Sequence, residues 1–286
     1  MRLTTAFSKN RYHKRLVPKD SSHIKLFYFY SCDMIYEPEK YWNDVAARIA
    51  ERSSGRTVAG DDEPFYHYKR KKLLALLKKV DFSNKIVLEI GPGPGGNLKE
   101  VLSLQPKEVH GADISKEMLA IARDELKGHN VTLQKINNAG LPYPDKFFDV
   151  VYTVTVLQHN TNRKMLERTI NEMCRITRKD VYIFERIEKT IRGTELCLGR
   201  PVTYYEQLFI QQGLELRKTS FLNIPVSYLV CGVIRKLFNK KNRKEGEPES
   251  AISIKLQKSV LPLTSILDPV FKTNRELAML HFQRRD

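Results

Sequence analysis

Two hydrophobic periods succeed one another along this chain. Tyr41, Val45, Ala46 and Ile49 share one face of a helix expected over residues 39–52. A second helix is expected over 65–80, with Leu73, Leu74, Leu76 and Leu77 on its buried side. Ser53-Ser54-Gly55-Arg56 between them reads as a loop. From Lys85 onward the texture changes to short apolar runs separated by helical patterns. Strands are expected at 85–90, 107–113, 131–136, 148–156 and 180–187, with helices over 95–104, 116–126, 165–177 and 203–212. Residues 214–221 and 276–283 are candidate sixth and seventh strands. Such alternation is the signature of a parallel α/β sheet.

Between the last two strands lies an insert of about 50 residues. Val226, Leu229, Val230, Val233, Ile234, Leu237 and Phe238 follow steps of three and one, which places them on one helical stripe. Arg235, Lys236, Lys240, Lys241, Arg243 and Lys244 gather at its C-terminal end. Three readings remain open: a helix packed on the domain with a solvated basic loop, a lid over a pocket, or a helix lying against an anionic membrane surface through residues 226–244. The chain thus divides into a basic, aromatic extension (1–60), a core (61–223), the insert (224–270) and a final strand (271–286).

Composition changes this picture little. With 41% hydrophobic and 29% charged residues, the 286-residue chain is suited to a folded core and not to general disorder. Cys32, Cys174, Cys197 and Cys231 are scattered, which suits neither a zinc site nor a disulfide framework and is compatible with a reducing cytosol. No apolar run is long enough to span a bilayer, and no cleavable signal is visible, so a cytoplasmic location, peripheral to a membrane if the insert meets one, is expected. The net charge of +16 suits an anionic partner but also simple solubility.

The sharpest local signal is Glu89-Ile90-Gly91-Pro92-Gly93-Pro94-Gly95, which joins a strand to a helix. Glycines there allow a tight turn and a close approach of backbone to ligand, and the helix beyond offers free N–H groups. Glu89, at the strand end, can act on a cationic ligand, whereas a pyrophosphate would be repelled. Asp113 closes the second strand 22 residues after Gly91, where a carboxylate can accept both ribose hydroxyls of an adenosine. Its plainer role would be that of a turn or cap residue, for which Ser115 is better placed.

Taken with Gly111-Ala112-Asp113-Ile114-Ser115, Leu141-Pro142-Tyr143-Pro144 through Phe148-Asp149-Val150-Val151, and Val156-Leu157-Gln158-His159, the loop resembles the class I S-adenosylmethionine-dependent methyltransferases with a type-11 domain. The resemblance covers roughly residues 80–190. It implies a doubly wound, seven-stranded Rossmann-like sheet with the last strand antiparallel, to which an N-terminal helical cover and the C-terminal helical insert would be added around the acceptor site. It also implies S-adenosylmethionine as cofactor, with Gly91, Gly93 and Gly95 along its methionine portion, Asp113 on the ribose and Ile114 beside the adenine. Where the family often has Asp near the adenine amino group, this chain has Asn137 followed by Asn138, whose amides can still meet the adenine edge.

Methyl transfer from a sulfonium asks the protein chiefly for alignment and exclusion of water, with a general base only for a protonated acceptor. His159, after the fourth strand, is the base candidate; a structural histidine is the plainer reading. Asn160 and Thr161 are expected to start a helix. Arg70 can pair with the cofactor carboxylate, and Tyr66 or Tyr68 can flank the methyl group; alternatively Asp61, Asp62 and Glu63 simply open a helix ahead of a solvated basic turn. The acceptor is expected to be an O or N atom of a small molecule, a glycan or a lipid-linked compound. The alternatives are a tRNA or rRNA methyltransferase, supported by charge alone, and a non-catalytic S-adenosylmethionine-binding protein. A nicotinamide dehydrogenase is disfavoured by Glu89 and by the Leu141–Val151 motif.

Overall fold

The computed structural model describes residues 36–52, 63–137 and 140–285. The expectations for the extension before Tyr36, for the loop at 53–56, for Asp61 and Asp62 and for Asn138 lie outside the described residues.

Seven strands form one sheet: β1 (Ile86–Ile90), β2 (Glu108–Asp113), β3 (Val131–Lys135), β4 (Phe148–Val154), β5 (Thr177–Ile187), β6 (Leu214–Phe221) and β7 (Glu276–Arg284). Their spatial order is β3-β2-β1-β4-β5-β7-β6, with β7 antiparallel to both neighbours and the other six parallel to one another. Strand β1 is buried on both faces, as a central parallel strand must be. Successive residues point to opposite faces. Leu88 and Val151 meet Leu166, Ile170 and Met173 on one side. Val87, Val150 and Tyr152 meet Phe65, Leu73 and Leu77 on the other.

The helices around the sheet are α1 (Pro38–Ala50), α2 (Pro64–Leu77), α3 (Gly96–Leu102), α4 (Lys116–Glu125), α5 (Arg163–Ile176), α6 (Val202–Ile210), α7 (Pro225–Phe238) and α8 (Ala251–Leu267). Proline opens α1, α2 and α7, where its missing N–H costs nothing. Ser115 caps α4 by accepting from Met118 N at 3.0 Å. Helix α5 begins at Arg163, two residues before the expected 165 but after Asn160 and Thr161, because Asn162 is the residue that accepts from Met165 N. Asn160 instead donates to Thr169, and Thr161 donates to the Glu195 carbonyl.

Two other expectations are revised. Strand β4 ends at Val154, because Thr155 takes a left-handed φ of 56° and a single helical turn follows at Leu157–His159. The apolar stripe of α7 is not its packed face: Ser227, Cys231 and Ile234 are buried, while Leu229, Val233, Leu237 and Phe238 are exposed.

The order of strands places the site. From β1 the chain moves to β2 on one side, and later returns to β4 on the other. Connections therefore leave the C-terminal ends of these two inner strands in opposite directions, which opens a crevice above them. Helix α1 roofs that end by packing Val45, Ala46 and Ile49 on Met118 of α4. Ser115 Oγ also donates to Asn43 Oδ1 at 2.7 Å, tying α1 to the α4 cap.

Candidate active site

A cavity of about 920 Å³ occupies the crevice. This is within the range of small-molecule sites. Its wall is built from the turn after β1, the ends of β2 and β3, the loop after β4, and residues of α1, α2 and the α7–α8 connection.

The turn after β1 is held by backbone. Gly91 N donates to Ala112 O at 2.8 Å, and Gly95 N to Pro92 O at 3.0 Å. Gly91 has φ of 68°, and a Cβ there would lie 2.4 Å from Val156 Cγ2, so only glycine lets the β4 loop close over the turn. Gly91 and Gly93 line the cavity, together with Gly96. Gly95 does not. Its Cβ position faces α4, 3.1 Å from Leu126 Cδ1, so its smallness serves the packing of turn on helix.

Asp113 is 6% exposed and lines the cavity with Ile114. Its Oδ2 accepts from Gly93 N at 3.0 Å and its Oδ1 from Ser115 N at 2.8 Å, so one carboxylate joins the turn of β1 to the start of α4. Each oxygen keeps a lone pair for a ligand. Burial raises its pKa to about 6, although the three backbone N–H groups around it pull the other way. At the end of β3, Ile136 and Asn137 line the same wall.

Glu89 does not reach the cavity as expected. It is fully buried beneath the turn, accepting from Asn97 Nδ2 at 2.9 Å and from the Tyr152 hydroxyl at 2.9 Å. Asn97 Oδ1 in turn accepts from Arg70 Nη1 at 3.1 Å, so Glu89 acts on the cavity wall through Asn97 and Arg70. Desolvation raises the Glu89 pKa to about 7. Arg70 and Tyr66 line the cavity. Tyr68 does not: its hydroxyl donates to Asp268 at 2.8 Å, on the far side of α2 from the crevice. Residues three or four apart share a helix face and neighbours two apart do not, which is why Tyr66 and Tyr68 part company.

His159 lines the cavity with both ring nitrogens engaged. Nδ1 lies 2.8 Å from the Leu196 carbonyl, and Nε2 lies 3.2 Å from Gln158 Nε2. Nδ1 must carry the proton to donate to that carbonyl, which leaves the Nε2 lone pair as the basic position. Trp42 meets the ring edge-on at 5.0 Å, and burial lowers the imidazole pKa.

Two residues that sequence patterns did not single out control this loop. Glu185 of β5, fully buried, accepts from Val156 N, Leu157 N and Gln158 N at 2.9–3.0 Å. Arg200, 2% exposed, donates to Leu157 O at 2.9 Å and to Asn160 O at 2.7 Å. A carboxylate holds the N–H groups and a guanidinium the carbonyls of one turn. Charged residues inside an apolar run (Val181–Ile187) and directly before Pro201 were the available signals.

The remaining cavity charges are unequal. Lys69, Arg70, Lys164, Arg168, Arg243 and Lys244 face Asp113, Glu172 and Glu245. Glu172 is held by Arg175 and Glu245 accepts from the Tyr41 hydroxyl at 2.7 Å, while Arg243 pairs with Glu63 at 3.6 Å and Arg70 donates to Asn97.

A sheet ordered β3-β2-β1-β4-β5-β7-β6 with one reversed strand, a glycine turn after β1 and a buried acid ending β2 defines the Rossmann-like fold of class I methyltransferases. Residues 87–180 match the model of a methyltransferase domain family. A demethylmenaquinone methyltransferase of Tropheryma whipplei is 37% identical over 76 residues, 27% of this chain and 31% of that protein. An uncharacterized methyltransferase of Schizosaccharomyces pombe is 34% identical over 129 residues, 42% of each chain. The chain therefore spans less than half the length of the curated relatives it matches. Among solved structures, the [4+2]-cyclase SpnF superposes with a TM-score of 0.61 at 15% identity, covering 86% of this chain and 95% of that one. The magnesium protoporphyrin IX methyltransferase of Synechocystis PCC 6803, solved with bound S-adenosylmethionine, gives 0.54 at 13% identity, covering 86% and 95%. Both likenesses concern the fold.

Proposed function

We propose that this chain is an S-adenosylmethionine-dependent methyltransferase acting on an O or N atom of a small, glycan or lipid-linked acceptor. The observation that carries this reading is Asp113: a buried carboxylate at the crevice, braced by the glycine turn through Gly93 N, with a lone pair left on each oxygen. The residues present fit the cofactor. Asp113 would accept hydrogen bonds from the two ribose hydroxyls, Ile114, Met118 and Asn137 would border the adenine, and Arg70, steadied by Asn97, would pair with the amino-acid carboxylate. When bound, S-adenosylmethionine supplies a methyl group already activated on a sulfonium.

The chain then has three tasks. The turn at Gly91–Gly96 and the loop at Thr155–Asn160 fix the two sides of the reacting volume, and Glu185 with Arg200 keeps the second side rigid. Helix α1, through Trp42, and the α7–α8 connection exclude water. For a hydroxyl acceptor, His159 Nε2 takes the proton after the acceptor displaces the Gln158 amide; its lowered pKa keeps it neutral and able to accept. The excess of cations along the wall suits an acceptor that carries an acidic group.

A cyclase with the same fold makes the test necessary, because fold does not choose the reaction. Purified protein titrated with S-adenosylmethionine and S-adenosylhomocysteine should bind both. Cells fed isotope-labelled methionine, with and without the gene, should differ by one labelled methyl in a defined compound. Absence of binding at millimolar ligand sinks the cofactor assignment; binding without any labelled product sinks the catalytic one.

A further inference from the structure

Helices α7 and α8 are packed inside out. Soluble helix pairs bury apolar stripes and expose polar ones, yet the seam here is largely polar. Ser227 Oγ lies 2.6 Å from Asp268 Oδ2 and 2.9 Å from Thr264 Oγ1, while Asp268 Oδ1 accepts from Val226 N and Ser227 N at the α7 N-terminus. Ser253, Gln257 and Glu249 form a second buried polar group at the other end.

The apolar side chains face outward instead. Among the described residues, twelve large hydrophobic side chains are exposed, and ten of them fall between Leu229 and Phe271. On α7, Leu229, Val233 and Leu237 repeat every four residues, and each is at least half exposed. On α8, Ile252, Leu263 and Ile266 lie within about 60° of one another at about 100° per residue, each more than 60% exposed. Water is a poor neighbour for so large a share of a protein's exposed apolar side chains on one helix pair.

Charge identifies the missing neighbour. From Pro225 to Arg275 the exposed charged residues are Lys236, Lys240, Lys241, Lys244, Lys255, Lys258, Lys272 and Arg275, all cationic. Every carboxylate of the same stretch is buried or half-buried: Glu245, Glu247, Glu249 and Asp268. An apolar surface bordered only by cations is complementary to a bilayer interface with anionic headgroups, where lysine stems can lie along the acyl boundary. No helix among the described residues is long and apolar enough to cross a membrane, so the pair would lie on the surface.

We infer that α7 and α8 dock this protein on an anionic membrane surface. The segment joining them contributes Arg243, Lys244 and Glu245 to the cavity wall, so docking brings the bilayer next to the cavity rim. That a membrane-borne acceptor enters there rests on the methyl-transfer reading; the docking does not.

The test is flotation of the full-length protein with vesicles of phosphatidylcholine alone or mixed with phosphatidylglycerol. The wild type should float with the mixed vesicles and much less with the neutral ones. Raising salt from about 0.1 to about 1 M, which shortens the screening length from about 10 to about 3 Å, should weaken flotation. Reversal of three exposed charges (Lys236→Glu, Lys240→Glu, Lys241→Glu) should lower partitioning more than about a hundredfold. Replacement of three apolar residues (Leu229→Ser, Leu237→Ser, Leu263→Ser) should lower it about tenfold or more. Because all six positions are exposed, thermal unfolding and S-adenosylhomocysteine binding should stay as in the wild type. The inference is overturned if the wild type stays in solution with both vesicles, if the variants float as it does, or if these residues are covered in a vesicle-free dimer that ignores lipid. Flotation without S-adenosylhomocysteine binding would leave docking standing and remove the methyl-transfer reading.

Discussion

Replacement of Asp113 by asparagine separates two jobs that one carboxylate performs. In the folded protein each oxygen accepts a backbone N–H, from Gly93 at 3.0 Å and from Ser115 at 2.8 Å. An amide has one oxygen, so Asp113→Asn must turn its NH2 toward one of those donors and leave a buried N–H unpaired. That costs about 1–3 kcal/mol. At about 2–4 °C per kcal/mol for a chain of this size, unfolding without ligand should fall by about 2–12 °C. The second job is the ribose. Loss of charge-assisted bonds to the two hydroxyls removes about 1.5–3 kcal/mol of binding, or about 10- to 150-fold in affinity. Calorimetric titration with S-adenosylhomocysteine and its 2′-deoxy analogue tells the two apart. The wild type should prefer the ribose form, and the variant should have lost most of that preference, as a double-mutant cycle requires. If Asp113→Asn retains the full preference for the 2′-hydroxyl, the carboxylate does not hold the ribose, whatever happens to stability.

The same carboxylate predicts a pH dependence. Its pKa is raised from 3.8 to about 6, so across that window the folded protein holds a proton that the unfolded chain gives up, and this group makes stability fall as pH rises. Ligand binding has the opposite sign because it needs the ionised form: S-adenosylhomocysteine affinity should rise up to about tenfold per unit from pH 5 to 6 and level off above, and a flat profile would contradict the assignment. Glu185→Gln should deprive the Val156–Gln158 turn of part of its anchor, lowering stability by about 1–3 kcal/mol in denaturant unfolding and turnover more than cofactor affinity. Tyr68→Phe should cost about 1 kcal/mol of stability through its bond to Asp268, with unchanged S-adenosylhomocysteine affinity by calorimetry. Arg70→Ala should weaken S-adenosylhomocysteine binding but not that of 5′-methylthioadenosine, which lacks the carboxylate; equal losses would refute the pairing.

Local order explains what the chain discloses unaided. Strand β6 begins and ends as its apolar run predicts, and β7 starts where expected at Glu276, because period and turn residues are properties of adjacent positions. The glycine turn, the acid that closes β2 and the serine that caps α4 are equally legible, since each meets a backbone requirement within a few residues. Glu185 and Arg200 stand out locally as charges in apolar surroundings, but their role is hidden for the converse reason. Their partners lie about 28 and 40 residues away, and the pairing of β4 with β5, together with the bridge of Arg200 to Ile187, brings them together.

The stripe on α7 marks the boundary between the two kinds of information. Spacing dictates that Leu229, Val233 and Leu237 share a helix face, because 3.6 residues per turn is a local property. Which way that face turns is settled by competition among contacts far apart in the chain. Asp268 meets the α7 N-terminus and Ser227 with hydrogen bonds that cannot be left unmade in the interior, so the side of Ser227, Cys231 and Ile234 goes in and the side of Leu229, Val233 and Leu237 goes out.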